Sequence, residues 1–120
     1  MTHILLVDDN QFVRTCIDRM LKNENFMIET AENGAEALNK LRGSTPDVII
    51  CDVKMPQMDG YRFVKALKKM ETLRHIPVIM YTSMQEARER KKFMALGVAC
   101  YLDKCCPPET LINTISGLFV

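Results

Sequence analysis

The sequence predicts an α/β domain, a doubly wound sheet of five parallel strands in the order 2-1-3-4-5 with five helices around it. Three observations carry the prediction. Short apolar runs rich in β-branched residues alternate with segments of helical periodicity along the whole chain. The connections between them are only a few residues long, so each strand returns to a parallel neighbour through a crossover helix. Two of the runs, His3 to Val7 and Val48 to Asp52, end abruptly in carboxylates, and the carboxyl edge is where open parallel sheets bind their ligands.

The first strand is His3-Ile4-Leu5-Leu6-Val7, closed by Asp8-Asp9. From Asn10 to Asn23, apolar residues at Phe12, Val13, Cys16, Ile17, Met20 and Leu21 have the spacing of one helix face, with Asp9 or Asn10 as N-cap. A short strand from Phe26 to Ala31 follows. After Glu32-Asn33-Gly34 comes a helix with Ala35, Ala37, Leu38 and Leu41 on its inner face, broken by Gly43-Ser44-Thr45-Pro46-Asp47. The central strand, Val48 to Asp52, reads as buried on both faces and stops in the turn Val53 to Gly60. Tyr61 to about Met70 is helical again through Phe63, Val64 and Leu67, and Pro77 opens the strand Val78 to Thr82. Gln85 to Leu96 forms the fourth helix, ended by Gly97, a good left-handed terminator. Val98 to Leu102 is the last strand. Pro107 and Pro108 suit the first turn of a final helix running to about Leu118. Of the strand orders open to such a chain, only the flavodoxin-like 2-1-3-4-5 puts strands one and three side by side where the order reverses, and so brings Asp8, Asp9 and Asp52 together.

One domain over residues 1–120 accounts for the length, which is enough to bury a core without staples. Sixteen basic residues against 15 acidic ones give a formal charge of +1, which supplies no reason to expect a nucleic-acid or membrane partner. The five cysteines have no paired metal-ligand spacing and read as small buried residues of a reducing compartment. No signal peptide precedes the first strand, and the longest apolar runs fall far short of the ~20 residues of a membrane span. A soluble, cytoplasmic protein is the expectation. The nine methionines read as adaptable core filler, and Cys105-Cys106 as two loop thiols. The run Arg88, Arg90, Lys91, Lys92 reads as a solvated helix face, with a docking patch for an acidic partner as the alternative.

Three converging carboxylates repel one another unless a cation joins them, and oxygen-only ligands suit Mg2+. Mg2+ is therefore expected to raise the melting temperature by linkage. Thr82, with Ser83 beside it, ends strand four on the same edge, and Lys104 lies two residues past strand five. Acid cluster, hydroxyl and ammonium form a set suited to a phosphoryl group: Asp52 as nucleophile, Lys104 and Thr82 for the oxygens. Beyond that, phosphoryl transfer asks mainly for positioning and charge neutralisation.

Asp8-Asp9, Asp52 with its Met-Pro-Gln-Met-Asp-Gly turn (Met55 to Gly60), Thr82, Tyr101 and Lys104 follow one another on five βα units. In that order they resemble the receiver domain of two-component response regulators, and the similarity covers the whole chain. The resemblance implies a phosphorylation-controlled signalling switch that catalyses only its own phosphoryl transfer and dephosphorylation. Asp52 would be the phosphoacceptor, charged from the phosphohistidine of a sensor histidine kinase. Asp9, Asp52 and the backbone carbonyl of Lys54 would hold Mg2+ directly, with Asp8 acting mainly through water. Lys104 would pair with the phosphoryl group, Thr82 would move to hydrogen-bond it, and Tyr101 would turn inward into the space Thr82 vacates. A downstream protein would dock on the face of the fourth helix, fifth strand and fifth helix, with no direct contact to nucleic acid or membrane. One position departs from the family, which usually has proline, often after a cis bond, following the lysine. Here that residue is Cys105, and a non-proline cis bond costs ~3 kcal/mol, so a trans bond or a strained loop is implied.

Two other functions are open to a strand-end aspartate. A phosphohydrolase of the haloacid-dehalogenase type wants a second aspartate two residues after the first, where this chain has Lys54. A flavodoxin-like cofactor binder wants a hydroxyl- and glycine-rich phosphate loop after the first strand, where this chain has Asp8-Asp9-Asn10. The last periodic helix, with Leu111, Ile112, Ile115 and Leu118, runs to within two residues of Val120, so output is expected from the domain's own surface.

Overall fold

A parallel sheet covered on both faces needs consecutive apolar residues in its inner strands and tolerates polar ones at its edges. The computed structural model, which describes all residues except Gln85 and Val120, follows that rule. Its elements are β1 (His3–Val7), α1 (Gln11–Lys22), β2 (Met27–Ala31), α2 (Gly34–Lys40), β3 (Val48–Cys51), α3 (Gly60–Lys68), β4 (Val78–Thr82), α4 (Ala87–Ala95), β5 (Cys100–Asp103) and α5 (Pro108–Gly117). The sheet order is β2-β1-β3-β4-β5, and every strand pair is parallel. Every residue of β3 and β4 is buried, whereas the edge strands β2 and β5 carry the partly exposed Glu29, Thr30 and Asp103.

Each face of the sheet has its own core. Phe63, Val64 and Leu67 of α3, Phe93 of α4 and Ala37 of α2 pack on one side. Ile17 and Leu21 of α1 with Leu111 and Ile115 of α5 pack on the other. Burying a side chain of this size contributes about 1.5–3 kcal/mol. Asn10, Asn33 and Asp59 cap α1, α2 and α3 by accepting the amide hydrogens of Val13, Glu36 and Arg62. Among the described residues, no helix is long and apolar enough to cross a membrane.

Several expectations need correction. Phe12 and Cys16 face solvent, and α1 seats itself through Ile17 and Leu21. Ala35 is exposed, while Gly34, Ala37 and Leu41 make the inner face of the second helix. Phe26 precedes β2 because its amide finishes α1 by donating to the Leu21 carbonyl. Val98 is buried but lies outside β5: Gly97 takes φ 91° after α4, and the Val98 amide turns back to Phe93. With β5 running from Cys100 to Asp103, Lys104 follows the strand directly. The expected start of the fourth helix at Gln85 lies outside the described residues, and α4 begins at Ala87. Of the five cysteines only Cys51 is buried, and Cys16 and Cys105 are exposed. The methionines divide in the same way, with Met80 fully buried and Met27, Met70 and Met94 exposed.

Candidate functional site at the carboxyl edge

The register of β1 decides where the acids go. Val7 pairs with Ala31 on one side and Cys51 on the other, so the strands on both sides of β1 end level with it. The ladder continues one step further: the Asp8 amide donates to the Ala31 carbonyl at 3.0 Å, and the Asp52 amide to the Val7 carbonyl at 3.0 Å. Asp8 and Asp52 are thereby held as neighbours, both buried, at 1% and 8% exposure. Asp9 alternates outward and is exposed. Carboxylate oxygens of Asp8, Asp9 and Asp52 all lie within 4.8 Å of one another.

Lys104 closes the cluster from the far side of the sheet. Its amide donates to the Thr82 carbonyl at 3.0 Å, and the Tyr81 hydroxyl donates to its carbonyl at 3.3 Å. From that anchor Nζ reaches Asp8 Oδ2 at 2.8 Å and Asp52 Oδ2 at 3.0 Å. Cys105 does not disturb this reach. The described peptide bonds are all trans, and the Cys105 amide donates to Asp103 Oδ1 at 2.8 Å. The remaining oxygens are also bonded: Asp52 Oδ1 accepts the Val53 amide at 2.7 Å, and Asp8 Oδ1 the Asn10 amide at 2.9 Å.

Burial is the largest influence on Asp8 and pushes its carboxyl above the usual range, the bonds from Lys104 and Asn10 opposing and the Asp52 charge adding. Burial pulls the Lys104 ammonium down, but its bonds and attraction to Asp8 and Asp52 outweigh this, and the net shift is upward. Lys104 Nζ is shared between Asp8 and Asp52, so one ammonium faces two buried carboxylates with the exposed Asp9 beside them. The donor set, oxygen only and short of positive charge, fits a hard divalent cation such as Mg2+.

The turn after β3 is built to clear this space. Asp59 caps α3, the Gly60 amide donates to the Val53 carbonyl at 2.7 Å, and Gln57 takes a left-handed φ of 66°. A Cβ on Gly60 would overlap the Asp52 carbonyl oxygen and stand 3.0 Å from Val53 Cα, so only glycine lets the two segments approach this closely. Beyond Asp52 opens a cavity of about 330 Å³, lined by Lys54, Thr82, Ser83, Met84 and Glu86.

Thr82 and Tyr101 meet through Met84. The Met84 amide donates to Thr82 Oγ1 at 3.1 Å, and the Tyr101 hydroxyl donates to the Met84 carbonyl at 2.6 Å. Tyr101 stands inward, 2% exposed, with its ring centroid 5.9 Å from that of Phe93. Inward placement was expected only once Thr82 had moved; here the ring is inside while Thr82 Oγ1 accepts the Met84 amide. Burial, chiefly, with Glu89 and Asp52 adding, pushes the Tyr101 phenol above its ordinary value.

One residue and one contact escaped sequence reasoning, Arg14 altogether and the hold of Arg90 on Tyr101. Arg14 Nη1 donates to the Asp8 carbonyl at 2.8 Å and Nη2 lies 3.4 Å from Glu32; its only signal was a cation on the first helix beside the acid pair. Arg90 Nη1 donates to the Tyr101 carbonyl at 3.1 Å, with the guanidinium 5.9 Å from the ring centroid. Half of the run read as a solvated face is therefore in contact, because Lys92 Nζ sits 4.3 Å from the Tyr61 ring centroid.

Comparison with known proteins places this geometry in a family. The family description "Response regulator receiver domain" matches residues 4–116. The chain is 32% identical over 115 residues to the chemotaxis protein CheY of Halobacterium salinarum, covering 96% of this chain and 94% of that protein. It is 33% identical over 116 residues to the probable transcriptional regulator ycf29 of Porphyra purpurea, of which it spans only 56%. It spans 13% of the gliding motility regulatory protein of Myxococcus xanthus, at 33% identity over 101 residues. Among solved structures, the chemotaxis response regulator CheY4 of Vibrio cholerae superposes with a TM-score of 0.91 over 99% of both chains, at 34% identity.

Proposed function

The chain belongs to the response regulator receiver domain family of two-component signalling, and from that premise we propose that Asp52 is its phosphoacceptor and Mg2+ its metal. The observation that carries the proposal is the bridge of Lys104 Nζ between Asp8 and Asp52, at 2.8 and 3.0 Å, inside a cluster of three carboxylates. In the transfer, the phosphorus–nitrogen bond of a sensor kinase's phosphohistidine breaks and a phosphorus–oxygen bond to the Asp52 carboxylate forms. The histidine nitrogen keeps the bonding pair. Asp9, Asp52 and the Lys54 carbonyl would hold Mg2+, with Asp8 acting through water. When bound, the ion supplies positive charge to the phosphoryl oxygens.

The residues of the chain do the rest. The Val53 amide and the backbone bond to Val7 fix Asp52 so that it faces the cavity with little rearrangement. Lys104 exchanges part of its bond to the carboxylates for a phosphoryl oxygen, and Thr82 takes another. Drawing Thr82 Oγ1 toward the phosphoryl group costs the bond from the Met84 amide, and Met84 also holds the Tyr101 hydroxyl. Phosphorylation thus biases the Met84 junction, Tyr101 and α4, provided their two arrangements are close in free energy. We assign the output to a protein partner on the face of α4, β5 and α5, within a single domain over residues 1–120.

The test is mass spectrometry after incubation with acetyl phosphate. One phosphoryl group should be gained with Mg2+ present, and none with EDTA or in Asp52→Asn. Labelling of Asp52→Asn to the wild-type extent would remove Asp52 from its role.

A further inference from the structure

The charges of this nearly neutral chain are unevenly placed. Between Gly60 and Lys92 lie nine of its 16 basic residues and three of its 15 acids. On α1 and α2 three of the four cations are matched, Arg14 with Glu32 at 3.4 Å, Lys22 with Asp18 at 3.1 Å and Lys40 with Glu36 at 3.6 Å, and Arg19 has no ion-pair partner among the described residues. On α3 and its C-cap, Arg62, Lys65 and Lys69 have no ion-pair partner among the described residues. They follow one another at i,i+3 and i,i+4, where like charges destabilise a helix.

These cations rim a groove of about 410 Å³ whose remaining walls are Met58, Tyr61 and Ala66. Lys92 reaches over from α4 to lie against the Tyr61 ring, so the groove sits at the meeting of α3 and α4. An apolar bottom beside a row of unmatched positive charge suits carboxylates flanking a large apolar side chain. A bare polyanion would leave Met58 and Ala66 unused, and a stacking base would compete with Lys92 for the Tyr61 ring.

The groove is also joined to the switch. Tyr61 packs edge-on against Phe93 at 5.7 Å, and Phe93 packs against Tyr101 at 5.9 Å. Tyr101 in turn is bonded to Met84, and Met84 to Thr82. We propose that this α3–α4 groove docks an acidic amphipathic protein segment, and that its affinity follows the position of Tyr101 through the row Tyr61, Phe93, Tyr101. The coupling rests on the reading of Asp52 as phosphoacceptor; the docking rests on the groove alone.

A titration of the full chain followed by NMR separates the two. The probe is a synthetic helical peptide with glutamates on one side and leucine and phenylalanine on the other. It should give saturable shifts at Tyr61, Ala66 and Lys92, weakened by about tenfold in Lys65→Glu/Lys69→Glu and by raised salt. A matched peptide with lysine in place of glutamate should not bind. The affinity should change when beryllofluoride and Mg2+ are added. Unweakened binding to Lys65→Glu/Lys69→Glu, no saturable shift at α3, or tighter binding of duplex DNA to the same residues would each overturn the docking site. Equal affinity with and without beryllofluoride, in a sample where Tyr101 itself responds, would overturn the coupling. Beryllofluoride leaving Thr82 and Tyr101 silent while the peptide still binds α3 would instead count against the phosphorylation reading.

Discussion

Helices α3 and α4 lie on the same face of the sheet, yet they are held by different means. α3 follows the strand of Asp52, starts with the Asp59 side chain bonded to the Arg62 amide, and buries Gly60, Phe63, Val64 and Leu67. α4 follows the strand of Thr82, starts at Glu86 with no side-chain cap bond, and buries Phe93 alone. The first helix is fixed to the chemistry, and the second is anchored at one point and latched by Arg90. Elements with few buried contacts open at small free-energy cost, so a modest bias at Thr82 moves α4 more readily than α3, whose part in the readout is confined to side chains such as Tyr61 that touch α4.

The strongest way to break this contrast is at Gly60, where α3 touches the site. Gly60→Ala forces its Cβ onto the Asp52 carbonyl and toward Val53, and should cost about 3 kcal/mol by urea denaturation. Gly117→Ala, at the end of α5 with nothing within 4 Å of the added carbon, should gain up to ~1 kcal/mol. Similar, small effects at both positions would mean that α3 is not wedged against Asp52.

The caps provide a smaller test. Asp59→Ala removes the bond to the Arg62 amide and should cost about 1 kcal/mol, whereas Glu86→Ala should change stability by less than ~0.5 kcal/mol because no cap is lost. Glu86→Ser offers α4 the cap it lacks. Thermal unfolding of the three variants ranks them, and an equal loss for Asp59→Ala and Glu86→Ala would erase the distinction between the helices.

What the sequence revealed divides along the same line. The apolar runs of β1, β3 and β4 were legible because burial on both faces leaves no polar position, and the acids were legible because they stand at strand ends. Phe12 and Ala35 were misplaced because hydrophobicity marks what can be buried, not which residue is, and Val98 because burial does not say whether a residue belongs to a strand. Alanine sits as well outside as inside, α1 needs only a narrow stripe, and Val98 reaches the core from a turn. The bond from Lys104 to Asp8 as well as Asp52, the grip of Arg14 on the Asp8 carbonyl and the Arg90 contact join elements far apart in the chain. No local pattern announces such contacts; they depend on rotamers settled after the sheet has formed. The inward Tyr101 belongs with them, since β-propensity placed it in a strand but not on a side.

The smallest effect bears on that tyrosine directly. An inward ring with its hydroxyl bonded to the Met84 carbonyl resists ionisation, and burial first, then the charges of Glu89 and Asp52, raise the phenol above its ordinary value. The neutral form is the one the fold prefers, so above pH ~10 the folded chain keeps a proton that the unfolded chain has lost. Stability from Tyr101 is therefore complete below that pH and declines as pH rises through the folded value. Tyr81 and Lys104 are shifted the same way, so the contribution of Tyr101 must be taken as the difference between wild type and Tyr101→Phe. Ultraviolet titration of the phenolate should show this difference ionising above the ordinary phenol range, and the pH dependence of unfolding in the alkaline range should be shallower in Tyr101→Phe. Ionisation of the difference signal at the ordinary value would mean that in solution the ring stands outside, and that α4 is held by Phe93 without the help of the Met84 junction.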